Sequence, residues 1–232
     1  MTLAHVVAHP GGSEPLPTVI ALHGHGANAQ DLIGLAPHIA AGRTLWVCPQ
    51  AQFTIEPGLY GFTWFQRGPD GQRDPQQFEH TVEAVKDFID EARARYPIDP
   101  ARTVLLGFSQ GGMIGYRMAL SEPERFVGLA ALSTTLSAES AERLSPGEEL
   151  SRLPVLVQHG TQDQMIGVER ARESRDRLEA LGVDLEYHEY EMGHQVGNES
   201  GSDLSAWLAN VLKLAGGEPA SDESSDGSTS SP

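Results

Sequence analysis

Cysteine is almost missing from this 232-residue chain. Cys48 stands alone, so no intrachain disulfide can form, and its strand-like setting LWVCPQ marks it as a buried small hydrophobe rather than a nucleophile. Long apolar runs are missing too. No stretch approaches the roughly 20 residues a membrane helix needs, and the opening MTLAHVVAHPGGSEP lacks the basic-then-apolar layout of a signal peptide, so the expectation is a cytoplasmic protein with no membrane partner. Positive charge is scarce: 16 Lys and Arg stand against 32 Asp and Glu, giving a formal charge of −16. A field of that sign repels phosphate backbones and anionic lipid surfaces, which argues against nucleic-acid binding. There is no internal repeat at solenoid periods.

What is present reads as an α/β protein. With 39% hydrophobic residues the chain can bury a substantial core, and one large domain over residues 1–215 fits better than two small ones. Short β-branched runs mark strands at Thr18 to Leu22, Thr44 to Val47, Thr103 to Leu106, Val127 to Leu132, Val155 to Val157 and Leu185 to Tyr190. Helical patterns lie between most of them. Asp74 can cap and Pro75 can open a helix that places Phe78, Val82, Val85, Ile89, Ala92 and Tyr96 on one face, and a second amphipathic pattern runs through Leu204, Trp207, Leu208, Val211 and Leu212. Such alternation predicts a mainly parallel central sheet with helices on both faces and a ligand site at the carboxyl ends of the strands. The stretch 216–232, GGEPASDESSDGSTSSP with its first Gly at 216, holds almost nothing to bury and is expected to be a disordered acidic, serine-rich tail.

Chemistry concentrates in a few loops. Gly107-Phe108-Ser109-Gln110-Gly111 has the G-x-S-x-G form, a pattern that by itself is common in a glycine-rich chain. Its context is specific: the strand TVLLGF leads in and the helical GGMIGYRMAL leads out, the sharp strand-to-helix turn that exposes a serine hydroxyl above a sheet in the α/β-hydrolase fold. A serine hydroxyl needs a base within reach, itself oriented by an acid. Asp163, just past VLVQHG, and His194, just past LEYHEYEMG, emerge on the same sheet edge as Ser109 and follow it in the order acid then histidine. The rival acids are less well placed, Asp176 inside a helical pattern and Asp184 at the start of a strand.

An acyl-transfer intermediate also needs two donors for its negative oxygen. The amide of Gln110 offers one, and the loop His23-Gly24-His25-Gly26 after the strand TVIAL offers the second. The two histidines of that loop could instead suggest a metal site, but no further ligands accompany them at metal-site spacing, so neither metal nor cofactor is expected.

With VIALHGHG, GFSQGG, HGTQD and MGH in this order, the chain resembles, over about residues 17 to 212, the phospholipase/carboxylesterase family, which includes bacterial carboxylesterases and acyl-protein thioesterases. The resemblance implies a triad of Ser109, Asp163 and His194 and oxyanion donors at the backbone amides of His25 and Gln110. Family members often carry leucine where His25 stands, a departure that a main-chain role tolerates.

The leading reading is a serine carboxylesterase acting on short- to medium-chain carboxylic esters through an acyl-enzyme, its partner a small-molecule ester and its oligomeric state, monomer or homodimer, open. An acyl-protein thioesterase or lysophospholipase acting on longer acyl chains is the alternative within enzymes, and a noncatalytic ligand receptor on the same fold is the alternative outside them. About 20 residues separate the strands ending near Thr134 and starting near Val155, too few for a large cap domain. Phe53, Tyr60, Phe62, Trp64 and Phe65 crowd one loop, and Trp64 and Phe65, with Met165 and Ile166, are expected to form an apolar acyl wall.

Overall fold

Seven strands make one sheet in the order β1 (His5–Ala8), β3 (Leu45–Pro49), β2 (Leu16–Leu22), β6 (Ile98–Phe108), β7 (Gly128–Leu132), β8 (Pro154–Gly160) and β9 (Asp184–Tyr190). Every neighbouring pair is parallel except β1 with β3. The structure, a computed structural model, describes residues 3–55, 61–68 and 71–214. Two short strands, β4 (Phe53–Thr54) and β5 (Phe62–Thr63), pair antiparallel outside the main sheet. Tyr60 and the tail 216–232 lie outside the described residues.

The helices are α1 (Gln30–Ile33), α2 (Pro75–Arg95), α3 (Gln110–Ala119), α4 (Ala138–Glu142), α5 (Glu148–Ser151), α6 (Val168–Leu181) and α7 (Asn198–Val211). The period-2 alternation of the central strands decides which helix covers which face. Ile20, Leu22, Leu105 and Leu129 point into one core with Phe78, Val82 and Ile89 of α2, Ile114 of α3 and Leu178 of α6. Val19, Ala21, Val104 and Leu106 point into the other, against Leu32 of α1 and Leu204, Trp207 and Leu208 of α7. Both faces are therefore apolar and covered, which is why the strands read as near-continuous hydrophobic runs.

The start of α2 follows from local chemistry. The Asp74 side chain accepts from the amides of Gln76 and Gln77 at 2.9 and 3.1 Å, and Pro75 occupies the first position, where no amide is needed. Its end differs from expectation: Tyr96 is not on the helical face but extended, at φ −114° and ψ 155°. Pro97 follows it, and a residue before proline is pushed out of the helical region. Between β7 and β8 the chain forms only α4 and α5, so no large cap covers the sheet edge. Cys48 lies on β3 within the second core, and burial pushes its thiol up to about 12. Among the described residues no helix is long and apolar enough to cross a membrane.

Candidate active site

The turn between β6 and α3 places Ser109 at φ 52° and ψ −116°, a conformation that costs a residue other than glycine about 1–3 kcal/mol. Its surroundings enforce it. The Ser109 amide donates to Leu132 O at 2.9 Å, and its carbonyl accepts from the Thr134 hydroxyl at 2.7 Å and the Gly112 amide at 3.0 Å. The flanking glycines are there for space: a Cβ on Gly107 would sit 2.5 Å from Gly112 Cα, and one on Gly111 would sit 2.1 Å from Leu22 O. Helix and strands can approach this closely only without side chains.

Asp163 and His194 arrive from the loops after β8 and β9. One Asp163 carboxylate oxygen accepts from the amides of Met165 and Ile166 at 2.8 and 2.9 Å; the other accepts from His194 Nδ1–H at 2.7 Å. Burial pushes the carboxyl up, but those two amides and His194 outweigh it, and Asp163 is held below the usual carboxylate range. The bond at Nδ1 leaves the lone pair of a neutral His194 on Nε2. Its ring is braced by Phe108, centroids 4.9 Å apart. Ser109 and His194 line one cavity of about 350 Å³. Among the described residues no hydrogen bond joins the two, a link that commonly tightens only when substrate is bound.

Two backbone amides point to further chemistry. Among the described residues neither His25 N–H nor Gln110 N–H has an acceptor. The loop that carries His25 is fixed from behind. His23 is buried, with Nδ1–H donating to Gly24 O at 2.8 Å and Nε2 accepting from the Ala51 amide at 3.1 Å. Burial lowers its pKa, and both nitrogens are engaged as a neutral ring requires. His25 Nδ1–H donates to the Thr63 hydroxyl at 2.9 Å; burial and then the charge of Arg67 lower its pKa also. No group of three or more His, Cys, Asp or Glu able to hold a metal occurs among the described residues.

Trp64 and Phe65 correct the sequence expectation. Both are 0% exposed and belong to the core, so neither forms the acyl wall. Their loop is drawn inward by polar bonds that a wall would not make. The Gln110 side chain accepts from Trp64 N–H and donates to Phe65 O, both at 2.8 Å, and the Trp64 indole donates to His23 O at 2.8 Å. Met165 and Ile166 do line a cavity beside Ser109, of about 700 Å³, together with Ile55, Met113 and Thr135; Met165, at 76% exposed, stands at its rim. Three contributors escaped the sequence reading. The Gln110 side chain and Thr63 were hidden because their partners Trp64 and His25 lie 46 and 38 residues away in the chain. His159, whose Nε2–H donates to Ile166 O at 2.7 Å and thereby steadies the Asp163 loop, was signalled only by its place in HGTQD.

A parallel sheet covered on both faces, with a strained serine turn and an acid and a histidine on later strand ends, is the α/β-hydrolase fold. The chain belongs to the phospholipase/carboxylesterase family, whose profile matches residues 3–212. It is similar to carboxylesterase SOBER1 of Arabidopsis thaliana, 29% identical over 177 residues that cover 72% of this chain and 77% of that one. Acyl-protein thioesterase 1 of Gibberella zeae is 28% identical over 230 residues, covering 88% and 94%. Among solved structures, esterase PE8 superposes with a TM-score of 0.79 at 25% identity over 91% of this chain and 100% of that one.

Proposed function

We propose that the protein is a serine carboxylesterase that hydrolyses short- to medium-chain carboxylic esters through an acyl-enzyme. The observation that supports this reading is that strained Ser109 shares one cavity with His194, itself paired with Asp163 at 2.7 Å, and another with His25 and Gln110, whose amides have no acceptor among the described residues. In this mechanism His194 Nε2 takes the Ser109 proton as the hydroxyl oxygen attacks the ester carbonyl. The carbonyl oxygen becomes negative between the two amides, and collapse of the intermediate expels the alcohol with the proton held by His194. Water then repeats the sequence on the acyl-enzyme and releases the acid.

The position of His194 supports one placement of the two halves of the substrate. His194 has to protonate the departing alcohol, so the alcohol occupies the smaller cavity, lined by Gly24, Asp31, Phe108 and His194. The larger cavity, which His194 does not line, takes the acyl group. Similarity to an acyl-protein thioesterase, together with the exposed apolar Met165 at the cavity rim, favours a second reading in which long acyl thioesters are the substrates. Comparing kcat/KM for ethyl butanoate, ethyl decanoate and palmitoyl-coenzyme A separates the two, with the short ester expected to lead. A fluorophosphonate should label Ser109 in the wild type and nothing in Ser109→Ala; absence of labelling and of ester turnover would remove the esterase reading altogether.

A further inference from the structure

The acyl cavity has a charge that its surroundings do not predict. In a chain with formal charge −16, the described residues lining it include two arginines, Arg67 and Arg170, and no carboxylate. Helix α6 makes the contrast internal, because it carries four arginines. Arg172 pairs with Glu189 at 2.7 Å, Arg175 with Asp176 at 2.7 Å and Arg177 with Glu173 at 3.2 Å. Arg170 lines the cavity, and its guanidinium has no carboxylate or other hydrogen-bond partner among the described residues. Helix stability does not account for it, since a cation in the first turn of a helix opposes the macrodipole. Arg67 donates to the Gly71 carbonyl at 2.8 Å and likewise has no carboxylate partner among the described residues. It lines this cavity together with His25, whose pKa its charge helps to lower. Asp31 lines the other cavity, assigned above to the alcohol.

We infer that Arg67 and Arg170 select an anionic acyl group, and that the preferred substrates are half-esters of dicarboxylic acids whose free carboxylate lies in this cavity. The inference rests on the esterase reading above and narrows its substrate. In the reaction, water replaces the alkoxy group at the ester carbon, and a half-ester monoanion plus water gives the dicarboxylate dianion, the neutral alcohol and one proton. The site binds the carboxylate that does not react; a guanidinium suits it because its planar array of donors matches two carboxylate oxygens. Apolar Ile55, Met113 and Ile166 line the same cavity and suit the carbon chain between the two carboxyl groups.

The test compares monoethyl adipate with its uncharged isostere ethyl adipamate by pH-stat, on the wild-type chain and on Arg170→Gln, Arg170→Lys and Arg67→Gln. For the wild type the acid-to-amide ratio of kcat/KM is expected at about ten or more, from the strength of charge-assisted hydrogen bonds, and to fall as salt is raised. Arg170→Gln should bring the ratio towards one, Arg67→Gln should lower it in part, and Arg170→Lys should keep much of it. A wild-type ratio of one or less, or equal losses on both substrates in Arg170→Gln, overturns the inference. Adipate itself supplies a readout without turnover: by calorimetry it should bind Ser109→Ala more tightly than adipamide, and equal binding counts against the anion site. Turnover of 4-nitrophenyl acetate without any preference for the half-ester would overturn the inference and leave the esterase reading standing. No fluorophosphonate labelling and no turnover of any ester would instead sink the esterase reading, while the adipate arm still judges the cavity.

Discussion

Replacing Ser109 with alanine should reduce ester turnover to near background while the melting temperature holds or rises, because the hydroxyl accepts no structural bond among the described residues. Retention of more than a few per cent of wild-type kcat would point to another nucleophile. Asp163→Asn is expected to cost on the order of 10⁴ in kcat, the scale set by triads in which an amide stabilises the wrong histidine tautomer. The same substitution has a signature in stability. The folded carboxyl of Asp163 titrates below its unfolded value, so its contribution is complete above about pH 4 and is lost as pH falls through the folded pKa. Denaturant titrations from pH 6 down to pH 2 should therefore show a shallower acid limb for Asp163→Asn than for the wild type; an identical limb would mean the carboxylate is not specially stabilised. In the proposed mechanism His194 accepts the Ser109 proton only when neutral, so kcat/KM should fall on the acid side of its pH profile.

At the scale of elements, the segment from Thr63 to Phe65 is a brace rather than a wall. Trp64→Ala removes a fully buried indole from the core and its bond to His23 O, so a loss of about 3–5 kcal/mol of stability is expected, with kcat/KM falling alike for short and medium acyl chains. A chain-length-dependent loss would return Trp64 to the acyl cavity. Asp74→Ala, which removes the cap from α2, should cost about 1 kcal/mol in chemical denaturation without altering kcat. These two positions also mark how far the sequence can be read. The cap and Pro75 are local, within three residues of what they control, and the helix start was legible from them. So were β2, β6, β8 and the three loops at their ends, because hydrophobic period and glycine placement are local patterns. The direction in which Trp64 points was not, since it depends on Gln110 and His23, each more than 40 residues distant in the chain. An aromatic run reads the same whether it faces a cavity or a core. The edge strand β1 escaped for a similar reason: its four residues, HVVA, gain their character only by pairing with β3.

For the whole molecule, the absence of a cap between β7 and β8 leaves the sheet edge reachable from solvent. Rate should therefore rise smoothly with ester concentration and show no jump at the solubility limit, where an oil phase appears; such a jump, or a preference for emulsified long-chain triglycerides, would contradict the open edge. Incubation with EDTA should leave ester turnover unchanged, and a loss that zinc restores would reopen a metal role for His23 and His25. The same layered architecture isolates Cys48, the single cysteine, between β3's neighbours, with its thiol raised to about 12. A thiol that stays protonated and covered does not react with maleimides or iodoacetamides under ordinary conditions. The native chain is thus a ready host for site-directed chemistry. One cysteine introduced on the rim of the larger cavity beside Ser109, for example in place of Met165, would be the sole addressable handle for a spin label or fluorophore, with no need to engineer away the thiol already present.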